Sequence, residues 1–265
     1  MLVFVKLGGS LITDKNQACS ARGVVISRLA QEVSQALQDD PALQIILGHG
    51  SGSFGHPPAK KYQTRSGVHS AEEWCGFIEV RRQADALHRI VMDELWQIGL
   101  NAISFPLSAV AITKNHAVVQ WDTAPLHNAL DHSLLPVVFG DVVFDLEIGG
   151  TILSTEEILA FLCLHLPIQR ILIVGIEQGI WKQADSPANI YPVFTPALFH
   201  AQNAGISGSR SPDVTGGMRS KVEVLFSIIN RNPAIQASIF SGKEEGNLYQ
   251  ALRGAEVGTV LKDHQ

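Results

Sequence analysis

Short apolar, β-branched runs recur at residues 2–5, 44–47, 102–104, 135–138, 171–174 and 238–240, and the longer segments between them repeat their apolar residues every three or four positions. The runs predict strands. The intervening pattern predicts helices over 24–37, 71–98, 155–166 and 218–229, and the alternation of the two is the signature of an α/β fold. Two helix starts carry chemical marks as well, because Ser70 with Glu73 and Ser154 with Glu157 have capping-box spacing. On the 71–98 helix, Phe77, Val80, Ala84, Leu87, Val91 and Leu95 share one face and are read as core. Residues 185–211, rich in Pro, Ser, Asn, Ala and Gly, predict a loop or short hairpin excursion. A fresh βα series from about residue 153 points to two lobes sharing one sheet, about 1–152 and about 153–265.

Composition narrows the class. Of 265 residues, 46% are hydrophobic and 17% charged, enough apolar surface for a sizeable core. A net charge of -5 with scattered Lys and Arg argues against nucleic acid or an anionic membrane as the main partner, so any bound anion must be met locally. No stretch approaches a transmembrane span, and Lys6 interrupts the apolar opening at once, so neither a membrane anchor nor a signal peptide is expected and the cytoplasm is the default address. Cys19, Cys75 and Cys163 are odd in number and far apart, which indicates neither a disulfide framework nor a zinc site. They are read as reduced, packing residues.

Three glycine-rich junctions stand out. Val5-Lys6-Leu7-Gly8-Gly9-Ser10 runs a strand into a Gly pair, where backbone N–H groups can approach phosphate oxygens and Lys6 adds a charge. The spacing is not that of a Walker loop. Residues 48–56, Gly-His-Gly-Ser-Gly-Ser-Phe-Gly-His, follow the second strand and read as a backbone nest for an anion, with His49 ordering the nest and His56 at its rim. Asp213-Val214-Thr215-Gly216-Gly217-Met218-Arg219-Ser220-Lys221 opens a helix, with Thr215 as N-cap and Lys221 one turn in. Singly, these fit a reversal, a solvated loop and a capped helix. Together they describe a site for several phosphate groups. The eight histidines other than His49 and His56 sit in no motif and are read as surface or core-edge residues.

The set KLGGS at 6–10, ITDK at 12–15, HGSGSFGH at 49–56, PVVFGDVVFD at 136–145 and DVTGGMRSK at 213–221 resembles the isopentenyl phosphate kinases, a branch of the amino acid kinase superfamily, in the same order and over nearly the whole chain. GSFGH is the discriminating motif. The resemblance implies a three-layer αβα sandwich with a mainly parallel sheet, the phosphate acceptor in the N-terminal lobe, ATP with Mg²⁺ in the C-terminal lobe, and a homodimer. It implies that Lys6, Gly8, Gly9 and Ser10 line the ATP phosphates and that Lys15 stabilises the group in flight. It further implies that Ser51 and Gly52 hold the phosphates of both substrates, that Gly55 and His56 meet the acceptor phosphate, and that Gly217 and Lys221 return to ATP. Trp74, Phe77 and Ile78 would wall an apolar tail. Where the family has a TDVDG-like turn this chain has Gly175-Ile176-Glu177-Gln178-Gly179, so Glu177 is the candidate substitute near ATP. Where the family has SGD it has Ser154-Thr155-Glu156, which sets Thr155 beside the acceptor.

The chemistry of a phosphate acceptor agrees with this set. A monoester's second pKa is about 6, so the attacking oxygen is already anionic at neutral pH and needs no carboxylate base. The obstacle is repulsion between two polyanions, which positioning and cations must overcome. Lys6, Lys15, Lys221 and His56 supply these, and no Asp or Glu is nominated as a catalyst. Another phosphorylated or phosphonate acceptor on the same fold, motivated by Thr155, and a ligand-binding pseudo-kinase, motivated by the missing turn aspartates, are the alternatives.

Overall fold

The opening apolar run becomes strand β1 (Leu2–Leu7), whose alternating side chains divide between two cores: Leu2 and Phe4 face one, Val3, Val5 and Leu7 the other. A strand buried this way needs a helical layer on each side. The structure, a computed structural model, describes residues 1–182, 190–201 and 217–263. Its other strands are β2 (Gln44–His49), β3 (Ala102–Ser104), β4 (Ala111–Lys114), β5 (Ala117–Trp121), β6 (Leu135–Phe139), β7 (Asp141–Asp145), β8 (Gly149–Leu153), β9 (Ile168–Gly175), β10 (Val193–Phe194), β11 (Gln236–Ser241) and β12 (Thr259–Leu261). The helices are α1 (Gly9–Ile12), α2 (Gly23–Asp39), α3 (Gly52–Lys61), α4 (Ala71–Gln97), α5 (Leu107–Val110), α6 (Ala124–Asp131), α7 (Thr155–His165), α8 (Pro196–Ala201), α9 (Met218–Arg231) and α10 (Asn247–Leu252).

The main sheet has the order β10-β12-β11-β9-β1-β2-β6-β3 and is parallel except where β11 meets β12. Helices α2, α4 and α10 cover the Val3 side, while α6, α7 and α9 cover the Phe4 side, giving the expected αβα sandwich. All six predicted strands and all four predicted helices are present, and both capping boxes form. The six apolar residues assigned to one face of α4 are all buried. From β1 the chain moves outward to β2 and later returns to β9 on β1's other side, so the strand order reverses beside β1. Open α/β sheets bind ligands at such a point, beyond the carboxyl ends of the strands.

Several features depart from expectation. A second sheet, β5-β4-β7-β8, was hidden because β6 and β7 form one apolar run broken only by Gly140 and Asp141, and β8 opens on two glycines. Cys19 and Cys75 are exposed and not packed, and His88 lies fully inside. Of the excursion expected over 185–211, the described part holds β10 and α8; the rest lies outside the described residues. Among the described residues no helix is long and apolar enough to cross a membrane.

The small sheet is organised by one carboxylate. Asp145 accepts from the Thr113 hydroxyl at 2.7 Å and from the N–H groups of Asn115, His116, Glu147 and Ile148 at 2.9–3.1 Å. Burial raises its pKa, but these donors outweigh burial and hold it below the usual carboxylate range. Asp145→Ala is expected to destabilise the chain by about 2–3 kcal/mol in urea denaturation at pH 7, as loss of hydrogen bonds to a buried charge does. Asp145→Asn should recover only part, since its oxygen can still accept from Asn115, Glu147 and Ile148 but its NH₂ would face the His116 N–H. Because the folded pKa is depressed, the contribution is full above the unfolded value of about 3.9 and fades as pH falls below it, so the two stability curves should converge in acid.

Candidate active site

The carboxyl ends of β1, β2, β6 and β11 are followed by Gly8, Gly50, Gly140 and Gly242, and β9 ends on Gly175, so glycine backbone lines much of that edge of the sheet. The closest approach is between Gly9 and Gly52. A Cβ on Gly9 would lie 2.6 Å from the Gly52 nitrogen, and one on Gly52, whose φ is +49°, would lie 2.2 Å from the Thr13 hydroxyl. Only glycine fits either place. The first turns of α1 and α3 therefore meet there, and first-turn N–H groups lack intrahelical partners. Thr13 fastens the crossing by donating to the Gly9 carbonyl at 2.7 Å and accepting from Ser53 N–H at 3.0 Å.

The segment read as an irregular nest is thus a helix beginning at Gly52, and only its first turn can present free donors. His56 follows Gly52 by four residues, on the same face one turn later. Gly55 is buried against Ser51, where a Cβ would come within 2.5 Å of the Ser51 hydroxyl. Pro57 has no N–H to offer the carbonyl four residues back. That carbonyl, of Ser53, accepts instead from Cys19 N–H at 3.2 Å, while the Ser53 hydroxyl meets Ser20 N–H at 3.4 Å. The loop carrying Lys15 is thereby tied to α3.

Lys6 points to the Phe4 side and forms an ion pair with Glu156 at the first turn of α7, the two side chains being 5% and 12% exposed. Burial raises the Glu156 pKa, but Lys6 and then Lys221 outweigh it, so the carboxyl stays ionised below its usual range. Lys221, one turn into the neighbouring α9, is thus drawn to the same carboxylate. Sequence reasoning nominated no carboxylate here and missed Glu156. The signal was available: the Ser154–Glu157 capping box fixes where α7 begins and places Glu156 beside the end of β1.

Other expected residues are placed as follows. Glu177 accepts the Trp181 indole N–H at 3.1 Å, and among the described residues it has no lysine partner. Thr155 is buried, and its hydroxyl donates to the His49 carbonyl at 2.8 Å, so it faces inward. Phe77 lies with Ala59, Val68, Val80, Val142 and Ile152 in an apolar cluster that includes α3, flanked by Trp74. Ile78 is 57% exposed and stands outside that wall. Gly217 precedes α9; Asp213 to Gly216, including the expected cap Thr215, lie outside the described residues. Among the described residues no group of three or more His, Cys, Asp or Glu could hold a metal ion without a ligand's help.

Comparison with known proteins adds a second line. Residues 1–241 match the amino acid kinase family. The chain is 32% identical to the isopentenyl phosphate kinase of Methanocaldococcus jannaschii, with 98% of each chain covered, and 31% identical to that of Haloferax volcanii, again with 98% of each. Among solved structures, an isopentenyl phosphate kinase superposes with a TM-score of 0.83 at 24% identity over 99% of this chain and 100% of that one. An N-acetylglutamate synthase from Neisseria gonorrhoeae superposes at 0.69 with 13% identity, over 100% of this chain and 60% of that one.

The buried pair makes a stability prediction. Glu156→Gln leaves a buried ammonium unpaired and is expected to destabilise the protein by about 3–5 kcal/mol, whereas the double change Lys6→Met with Glu156→Leu should cost much less. Urea denaturation at pH 7 checks both. The Glu156 pKa is lowered on folding, so the wild type's advantage over Glu156→Gln should be full at neutral pH and shrink below about pH 4.3.

Proposed function

Since the chain belongs to the amino acid kinase family, and within it to the isopentenyl phosphate kinases, we propose that it transfers the γ-phosphoryl group of ATP to isopentenyl phosphate, giving isopentenyl diphosphate and ADP. The observation that carries this reading is the Gly9–Gly52 crossing beside a buried Lys6–Glu156 pair: two backbone cradles on adjacent strands face one another with a fixed cation between the sheet and α7. That arrangement suits two phosphate-bearing ligands that must meet end to end.

In this reading the first-turn N–H groups of α1, with Lys6 and Lys221, hold the phosphates of ATP from the two lobes, and those of α3 with His56 hold the acceptor phosphate. Lys15, on the loop tied to α3, meets the charge that spreads over the group in flight. Mg²⁺, arriving with ATP, would neutralise β- and γ-phosphate oxygens. Glu156 takes no proton in this scheme; it holds Lys6 in place and attracts Lys221. The apolar cluster around Phe77 supports an alkenyl tail over a nucleoside, whose base and sugar would require fixed polar partners. A different acceptor loses its motive, because the Thr155 hydroxyl is spent on the His49 carbonyl. The pseudo-kinase alternative is opposed by the intact Lys6, Glu156 and Lys221 set. A homodimer and a cytoplasmic address complete the proposal.

A coupled ADP-release assay over isopentenyl, dimethylallyl and geranyl phosphates, UMP and fosfomycin tests it. Isopentenyl phosphate should give the highest kcat/KM; preference for UMP or fosfomycin, or no turnover with any of them, would overturn the assignment.

His56 should act as a hydrogen-bond donor to the acceptor and not as a base, because the attacking oxygen is already ionised at neutral pH. His56→Gln is then expected to keep substantial activity and His56→Ala to lose about tenfold more, both raising the KM for the acceptor and leaving that for ATP nearly unchanged. Equal, near-total loss of kcat in both variants with normal acceptor affinity would instead mean proton transfer.

A further inference from the structure

The kinase reading leaves two buried histidines unused. His49, at the end of β2, shares the face of Ile45 and Leu47 and so points toward α4, where His88 waits. His49 Nδ1 lies 3.2 Å from the Gly50 carbonyl oxygen, and its Nε2 lies 3.0 Å from His88 Nδ1. His88 Nε2 lies 2.6 Å from the Ser104 hydroxyl. Both rings stack on Phe139, with centroids 5.5 and 4.0 Å away.

Every proton in this chain can be assigned. Burial pushes the His49 pKa down to about 4; burial, then the charges of His49 and Arg81, push that of His88 to about 2, so both rings are neutral at pH 7. A neutral imidazole carries one N–H and one bare nitrogen. A carbonyl only accepts, so His49 Nδ1 must donate to Gly50, which leaves its Nε2 to accept. His88 Nδ1 must therefore donate to it, and His88 Nε2 accepts from the Ser104 hydroxyl. The hydrogen bonds run in one direction from Ser104 to Gly50.

The Gly50 carbonyl and the Ser51 N–H belong to one trans peptide and point opposite ways. Because His49 draws the carbonyl toward the α4 layer, the Ser51 N–H is turned away from α4. We propose that His88 is a positioning residue which, through His49, locks the Gly50–Ser51 peptide so that the Ser51 N–H faces the acceptor phosphate. The identity of that ligand rests on the kinase reading; the hydrogen-bond chain does not.

Two measurements on the full chain test this. Long-range ¹⁵N–¹H spectra at pH 7 should show both His49 and His88 protonated at Nδ1 and bare at Nε2; an Nε2–H tautomer at either ring overturns the proposal. In kinetics, His88→Leu removes the donor and should raise the KM for isopentenyl phosphate about tenfold, the scale of one lost hydrogen bond, with kcat and the KM for ATP much less affected. His88→Asn, which can still donate, should restore most of the loss. An unchanged KM in His88→Leu, or equal loss in both variants, overturns it. Should His88→Leu not fold, Ser104→Ala is read by the same spectra: the His88 Nε2 signal should move and that of His49 Nε2 should follow, and an unmoved His49 signal counts against the chain. The two readings fail separately, since absent turnover in the wild type sinks the kinase assignment while wrong tautomers sink this one.

Discussion

The ion pair between Lys6 and Glu156 is the constraint on which the site depends. An ammonium at the end of a strand buried on both faces is tolerable only if a carboxylate meets it, and the carboxylate is tolerable only if it stays ionised. Each condition satisfies the other. The pair also joins β1 to α7, and through Lys221 it reaches α9, so the central strand and two helices of the opposite layer share one charge balance. A site that must quiet two polyanions needs a cation that does not wander, and a buried carboxylate is what fixes Lys6.

The glycines complement this arrangement. Where Gly9 and Gly52 cross, any side chain would collide with backbone, so the surface offered to a ligand is peptide N–H at close range. The same logic explains one proline of α3: Pro57 frees the Ser53 carbonyl, and the loop that carries Lys15 is anchored on it. A helix-breaking residue thus positions a lysine far from it in sequence.

Much of this was legible in the chain. Strand runs, the α4 stripe and the two capping boxes are local patterns, and each reappears because local periodicity and tertiary burial agree. The small sheet was not legible, since Gly140 alone separates two strands that pair in different sheets. Within the site, the glycine junctions and lysines are marked by type and spacing, whereas Glu156 is marked only by its place in a capped first turn, its partner lying 150 residues away. Glu177 looked like the substitute for a turn aspartate because it lies nearby in sequence, yet its carboxylate is engaged by Trp181. His88 carried no signal because nothing in a helical stripe distinguishes a buried histidine with a partner from an exposed one.

His49 ties these observations together. Its carbonyl accepts from Thr155 at 2.8 Å and from Gly140 N–H at 3.1 Å, which binds it to the start of α7 and the end of β6, while its ring reaches α4 on the opposite face. One residue at the end of β2 is therefore held from both layers. The helix start fixed by Thr155 is the same one that presents Glu156 to Lys6. The peptide held by the His49 ring opens the segment that crosses Gly9. Displacement of His49 would thus disturb the cation set and the backbone cradle at once. The Thr155 hydroxyl, turned inward onto the His49 carbonyl, is the bond that joins the end of β2 to the start of α7, and so couples the two halves of the site.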